Sequence, residues 1–217
     1  MAIIVPKFNS WANKYCPNPL PSISKVISNA VDKAYAPSVI RALYNKGKLV
    51  GFNKNANGKT QSRKAATNII VCYLGYVHQN NTLPYPITDL WDQIRNVYHT
   101  NGITWYTYGN AQKWVGMAIK YYLVNKYRDT PSYLCNDVLA DVVFPIDRIM
   151  INKIQSGIVV AGTGSNISIS VNNLPPCPSW SQCDCKQTFI DYIDAVKNEL
   201  IKFPTQDKLI EFEINNW

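Results

Sequence analysis

The stretch from residue 109 to residue 122 constrains the fold more than any other part of this chain. Its apolar residues recur at three- and four-residue spacing, at Ala111, Val115, Ala118, Ile119 and Tyr122. That period predicts an amphipathic helix, entered through a turn at Tyr108-Gly109. Lys113 then falls in the first turn of the predicted helix.

A lysine is an unusual choice for the start of a helix. A cation there opposes the helix dipole by roughly 0.3 to 1 kcal/mol, so helix stability alone does not select it. The same field disfavours a protonated amine and so favours the neutral form that a nucleophile needs. Lys113 is therefore a candidate nucleophile, and the alternative is a solvated surface lysine.

A carboxylate follows at the start of a second predicted helix. Pro145 disfavours helical geometry at Phe144, and Asp147 then precedes an apolar run of Ile149, Met150, Ile151 and Ile154. Asp147 is thus predicted to be an N-cap that accepts hydrogen bonds from the amides of the next turn. It either serves only as a cap or forms a reactive pair with Lys113.

Both segments carry a resemblance to a known superfamily. Gly109-x-x-x-Lys113 at a helix start, followed by Pro145-Ile-Asp147-Arg148, resembles the helix-hairpin-helix DNA glycosylases, and in particular the archaeal 8-oxoguanine glycosylase branch. The likeness covers about forty residues, from 109 to 151. The hairpin departs from the common Leu-Pro-Gly-Val-Gly form, because Trp105-Tyr-Thr-Tyr-Gly109 stands in its place.

The resemblance implies a mainly α, two-lobed helix-hairpin-helix fold in which residues 1–217 form one catalytic unit, with the active site within 100–155. It implies a DNA glycosylase with lyase activity, whose substrate is double-stranded DNA with one flipped-out base. The enzyme would be a monomer and would use no cofactor or metal. Lys113 would be the nucleophile, and Asp147 would stabilise the sugar cation. The base would be oxidised guanine or another modified base, including a viral one, so its role would be base-excision DNA repair or phage defence.

The same resemblance assigns further residues to DNA. Gly109 would let the hairpin amides approach a phosphate, and the expected DNA-contacting set is Gly109, Asn110, Gln112, Lys120 and Arg148. Lys120 has an alternative as a solvated lysine. Aromatic side chains should grip the extruded base, and the candidates are Trp91, Trp105 and Trp114.

Composition limits the class of protein. The chain has 217 residues, 47% of them hydrophobic, which is enough for a substantial core. Its net charge of +8 favours a polyanionic partner. No N-terminal signal and no apolar run of about 18 residues is present, so we expect a cytoplasmic protein outside the membrane. Two other interpretations are a non-catalytic helical DNA-binding module and a helical scaffold with no nucleic-acid role.

Outside the central stretch, the prolines of residues 1–24 predict a packed arm rather than a long helix. Helical spacing predicts two helices meeting near Pro37, further helices over 65–78, 87–98 and 188–203, and a basic loop over 45–63. A β-hairpin is predicted near residues 157–172. Three cysteines, Cys177, Cys183 and Cys185, are one ligand short of the four that an iron–sulfur cluster needs, so structural thiols are expected.

Overall fold

The computed structural model describes residues 4–15, 22–35, 57–156, 158–159, 166–167, 180–202 and 208–216, and these are mainly helical. Numbered in chain order, the described α-helices are α1 Ile4–Tyr15, α2 Ile23–Tyr35, α3 Asn57–Asn80, α4 Ile87–Thr100, α5 Tyr108–Lys126, α6 Arg148–Ser156, α7 Lys186–Leu200 and α8 Leu209–Asn216. Short 3-10 helices lie at Pro131–Asn136, Val138–Asp141 and Trp180–Gln182.

Helix α5 lies at the centre of the packing. Helix α2 runs along it in the most extensive of the helix pairs, and α1, α4 and α7 contact it as well. Every residue from Gly109 to Val124 is buried. The predicted helix is confirmed, but the predicted amphipathic stripe is wrong because α5 is covered on all sides.

The start of α5 is capped by Thr107. Its hydroxyl accepts a hydrogen bond from the Asn110 amide at 3.3 Å, which satisfies a donor that the helix itself cannot. Lys113 is consequently the sixth residue of α5 and lies in the second turn. The first-turn prediction is wrong by one turn, and the helix dipole acts mainly within the first turn.

Other sequence predictions have mixed outcomes. The helices predicted over 65–78, 87–98 and 188–203 correspond to α3, α4 and α7. The N-terminal arm is packed as predicted, because Phe8, Trp11 and Ala12 are buried. It contains the 12-residue helix α1, in which Pro6 lies in the first turn, where its missing N–H removes no intrahelical bond. Helix α3 begins at Asn57, so the end of the predicted basic loop is helical. The rest of that loop, and Pro37, lie outside the described residues.

A short antiparallel pairing occurs where the hairpin is predicted. Strand β1, Ile158–Val159, pairs with β2, Asn166–Ile167, with Ile158 opposite Ile167. The predicted turn between them lies outside the described residues. Among the described helices, none combines the length and the apolar character that crossing a bilayer requires.

Candidate active site

Lys113 and Asp147 are in direct contact. The Lys113 Nζ lies 2.9 Å from Asp147 Oδ2, although the residues are 34 positions apart. Lys113 is 8% exposed and Asp147 is 5% exposed. The two residues singled out from the sequence therefore form a nearly buried ion pair, in which the Coulomb attraction is screened far less than in bulk water.

Asp147 uses its two carboxylate oxygens for different purposes. Oδ1 accepts hydrogen bonds from the amides of Ile149 at 2.9 Å and Met150 at 3.1 Å, and Oδ2 faces Lys113. The predicted N-cap of α6 is confirmed. Because the cap fixes the orientation of the carboxylate, Oδ2 is held toward the amine without a further partner being required.

Helix α5 contacts the segment before Asp147 at two further points. The side-chain amide of Gln112 donates to the Ile146 carbonyl at 2.6 Å and accepts from the Ile146 amide at 3.1 Å. One turn later, a Cβ on Gly116 would lie 2.8 Å from Pro145 N. These contacts fix the distance between the amine and the carboxylate. Gln112 is fully buried in this clamp, and its predicted contact with DNA stays a prediction.

The start of α5 is covered by the segment around Trp180. The Gly109 amide donates to the Cys183 carbonyl at 3.1 Å, and a Cβ on Gly109 would lie 1.6 Å from the Trp180 carbonyl oxygen. The Tyr108 amide donates to Asp184 Oδ1 at 3.1 Å. Gly109 does permit a close backbone approach, but the backbone that approaches it is that of Trp180 in the same chain. The predicted contact of Gly109 with a phosphate stays a prediction.

The other residues predicted to contact DNA divide sharply by exposure. Asn110 is 2% exposed and Lys120 is 0% exposed, and the ammonium of Lys120 pairs with Glu213. Both side chains are buried in this arrangement, so the alternative of a solvated Lys120 is wrong, whereas DNA contact by either residue stays a prediction. Arg148 is exposed, immediately after Asp147. It is the member of the predicted set that the structure leaves on the surface.

Trp180 is a site residue that the sequence did not indicate. Lys113 Nζ lies 4.4 Å from the centroid of its ring, and the ring is partly exposed. The predicted pocket residues are placed differently. Trp91 and Trp114 are 0% exposed. The Trp114 indole N–H donates a hydrogen bond to the Val31 carbonyl at 3.0 Å. Trp105 is partly buried and packs against the core.

A surface ion pair holds the segment that carries Trp180. Arg95 donates to both oxygens of Asp184, at 2.8 and 2.5 Å. Burial acts to raise the pKa of Asp184, but the Arg95 guanidinium and the Tyr108 amide outweigh it and hold that pKa below its ordinary value. The segment is thus tied to α4 and to the start of α5.

The described residues offer no group of three His, Cys, Asp or Glu side chains suited to holding a metal ion. Cys183 and Cys185 are free thiols, whereas Cys177 lies outside the described residues. No known protein family, curated protein or solved structure matches the chain. A functional assignment therefore starts from the buried pair of Lys113 and Asp147.

Proposed function

We propose that this protein is a DNA glycosylase with associated lyase activity, with Lys113 as nucleophile and Asp147 as the carboxylate that assists it. The contact of 2.9 Å between Lys113 Nζ and Asp147 Oδ2 carries the proposal. It is nearly buried and is oriented by the cap of α6. A nucleophile beside a base that a third group orients is the arrangement that covalent catalysis requires.

The proposed chemistry uses both side chains. When the bond from C1′ to the base breaks, its electron pair leaves with the base, which takes a proton from water, and positive charge develops on C1′. The carboxylate of Asp147 stabilises that charge. Lys113 gives its proton to Asp147 and forms a bond from Nζ to C1′. The C1′–O4′ bond then breaks, O4′ keeps its electron pair and takes a proton from Nζ, and C1′ and Nζ are left joined as a protonated imine. Loss of a proton from C2′ then expels the 3′ phosphate and cuts the strand.

Trp180 gives the extruded base a stacking surface. Rotating a base out of the duplex costs a few kcal/mol, and stacking on an aromatic ring offsets part of this cost. Lys113 Nζ lies 4.4 Å from the centroid of this ring, and Trp180 is partly exposed, so it is the best placed of the described tryptophans for this role.

The buried Lys113–Asp147 contact favours this enzyme over a non-catalytic DNA-binding module, because only the enzyme needs the two side chains to meet; the basic charge fits both. The net charge of +8 fits a polyanionic partner, and Arg148 is exposed beside the pair. The module would rely on open amides at the start of α5, but the Gly109 amide already has the Cys183 carbonyl as its acceptor. Within the proposal, the chain is a two-lobed monomer acting on cytoplasmic DNA that contains oxidised guanine or another modified base, including a viral one.

A panel of duplex oligonucleotides tests the proposal. Each duplex carries one altered base, and alkali after incubation converts any abasic site into a strand break. We expect breaks at one class of altered base with the wild type and none with Lys113→Gln. An absence of breaks across the panel, or equal breaks with both proteins, would show that the pair is structural.

A further inference from the structure

Two free thiols lie close together where α7 begins. Cys185 is the N-cap of α7 and is exposed, and Cys183, two residues before it, is partly buried. The Cys183 thiol donates a hydrogen bond to the Cys185 carbonyl, with 3.7 Å between the sulfur and the oxygen. The Cys183 sulfur therefore lies against the residue that carries the second thiol.

Cys185 stands where a thiol becomes reactive. The thiolate is the nucleophilic form of cysteine, and the N-terminal end of a helix favours it, because the unpaired amides and the helix dipole stabilise negative charge. Helix α7 is 15 residues long. The side chain and the amide of Thr188, in its first turn, favour the thiolate and lower the pKa of Cys185. Because Cys185 is exposed, a dissolved oxidant can reach it.

The spacing of the two cysteines permits a bond between them. One residue separates them, so their Cα atoms lie at most roughly 7 Å apart, and disulfides form at Cα separations of about 4.4 to 6.8 Å. The bond would close a small ring around Asp184, whose carboxylate accepts hydrogen bonds from Arg95 and from the Tyr108 amide. The ring and these contacts constrain the same residue. Exposed or strained disulfides of this kind are the easily reduced ones.

We propose that Cys183 and Cys185 form a site of reversible thiol oxidation by hydroperoxides, in which Cys185 reacts first and Cys183 converts the product into a disulfide. Neither thiol takes part in the chemistry proposed above for Lys113 and Asp147. The inference therefore stands or falls independently of the proposed function.

The reaction balances with hydrogen peroxide as the oxidant. The Cys185 thiolate attacks one peroxide oxygen, the O–O bond breaks, and the other oxygen leaves as hydroxide and takes a proton to become water. The Cys183 sulfur then attacks the sulfur of the sulfenic acid formed at Cys185. The S–S bond forms, the S–O bond breaks, and the departing hydroxide takes the Cys183 proton. The two thiols have lost two electrons and two protons, and the peroxide has become two molecules of water.

The test treats the reduced wild-type chain with hydrogen peroxide, blocks the remaining thiols with iodoacetamide and maps the cysteines by mass spectrometry. The peptide that contains Cys183 and Cys185 should lose the mass of two hydrogen atoms and resist alkylation at both residues. Cys72 is the matched control, because it is also free and exposed but lies inside α3, and it should stay open to alkylation. Reduced glutathione should restore both thiols, and a disulfide that persists in glutathione would contradict the reversible site.

Cys177 needs a variant of its own, because trypsin leaves it in the same peptide as the pair. An unchanged loss of mass in Cys177→Ser supports the inference. If the loss of mass disappears in this variant, Cys177 is one partner in the bond and the inference is overturned. Equal oxidation of Cys72 and Cys185 without an intramolecular bond would overturn it as well.

Two further variants assign the order of the reaction. Cys183→Ser should accumulate a sulfenic acid at Cys185, which dimedone traps as an adduct. Cys185→Ser should fold, because serine is a favourable N-cap, and should give much less adduct at Cys183. Equal adducts in the two variants would overturn the order. A measurement on the wild type decides the same point without variants: limiting iodoacetamide at neutral pH should alkylate Cys185 several times faster than Cys183 or Cys72, and equal rates would contradict the assignment.

Discussion

Gly116 lies against the backbone of Pro145. A Cβ built on Gly116 would be 2.8 Å from Pro145 N and 2.9 Å from Pro145 Cα. These distances are shorter than those at which a Cβ packs against backbone atoms, so one partner would have to shift. The contact lies on α5 one turn beyond Gln112 and Lys113, whose own partners are Ile146 and Asp147. The absence of a side chain at Gly116 therefore sets how closely the Asp147 segment approaches α5.

Gly116→Ala should destabilise the protein although alanine is the better helix former. The clash is with backbone and cannot be relieved by a rotamer change, so we expect the free energy of unfolding to fall by about 1 to 3 kcal/mol. Gly75 provides the matched control, because it lies in the interior of α3 with nothing within 4 Å of its Cβ position. Gly75→Ala should raise stability by up to about 1 kcal/mol. Urea unfolding measures both changes.

Lys113→Gln should abolish the covalent protein–DNA adduct that forms when borohydride reduces the imine. Only an amine can form the imine with C1′, and glutamine keeps a donor that can face Asp147. Binding to DNA should be retained, because Lys113 is 8% exposed and contributes little to phosphate contact. Lys126→Gln, which removes a lysine at the other end of α5, should trap as the wild type does. Persistent trapping in Lys113→Gln would identify another amine as the nucleophile.

Asp147→Asn should slow base excision by about 10²-fold or more, because it removes the anion that faces the sugar cation. The fold should survive, since asparagine is nearly as good an N-cap as aspartate and can still accept from the Ile149 and Met150 amides. Asp147→Ala separates the two roles. It loses the cap as well, so its unfolding free energy should fall by a further 0.5 to 2 kcal/mol or so. If Asp147→Asn excised the base at the wild-type rate, Asp147 would have no catalytic role and would serve only as the N-cap of α6.

The sequence predicted the cap at Asp147, because a proline before an aspartate and an apolar run after it are local signals. It predicted the helix of Lys113 from its apolar spacing but placed that residue one turn too early. It failed for Lys120, since a charged residue on a helix is normally exposed and its partner Glu213 lies 93 positions away. The contact of Gln112 with Ile146 was missed for a similar reason. Its role as a clamp depends on the Ile146 backbone, whose position follows from tertiary packing and not from local pattern.

Trp180→Ala should reduce excision by roughly tenfold or more, because stacking of a base on an aromatic side chain contributes about 1 to 3 kcal/mol. The effect should be on excision of the altered base and much smaller on imine formation at an abasic site, which has no base to stack. The Trp180 carbonyl that approaches Gly109 is backbone and remains. Trp105→Ala is the comparison, because Trp105 was also a candidate. Single-turnover kinetics, measured on a duplex with the altered base and on a duplex with an abasic site, would identify the stacking residue. An equal loss of rate on the two duplexes would show that the substitution disrupts the whole site.

DNA binding should weaken steeply with salt, by orders of magnitude between about 50 and 200 mM if six or more phosphates are neutralised. The excess of 22 Lys and Arg over 14 Asp and Glu motivates this expectation. Arg148 is exposed directly after Asp147, so Arg148→Ala should lower the slope of log K against log salt by about one. Lys186→Ala should leave the slope nearly unchanged, because Asp92 already neutralises that ammonium at 2.7 Å. Binding that is indifferent to salt would favour a helical scaffold, because a protein that contacts no phosphates releases no counterions when it associates.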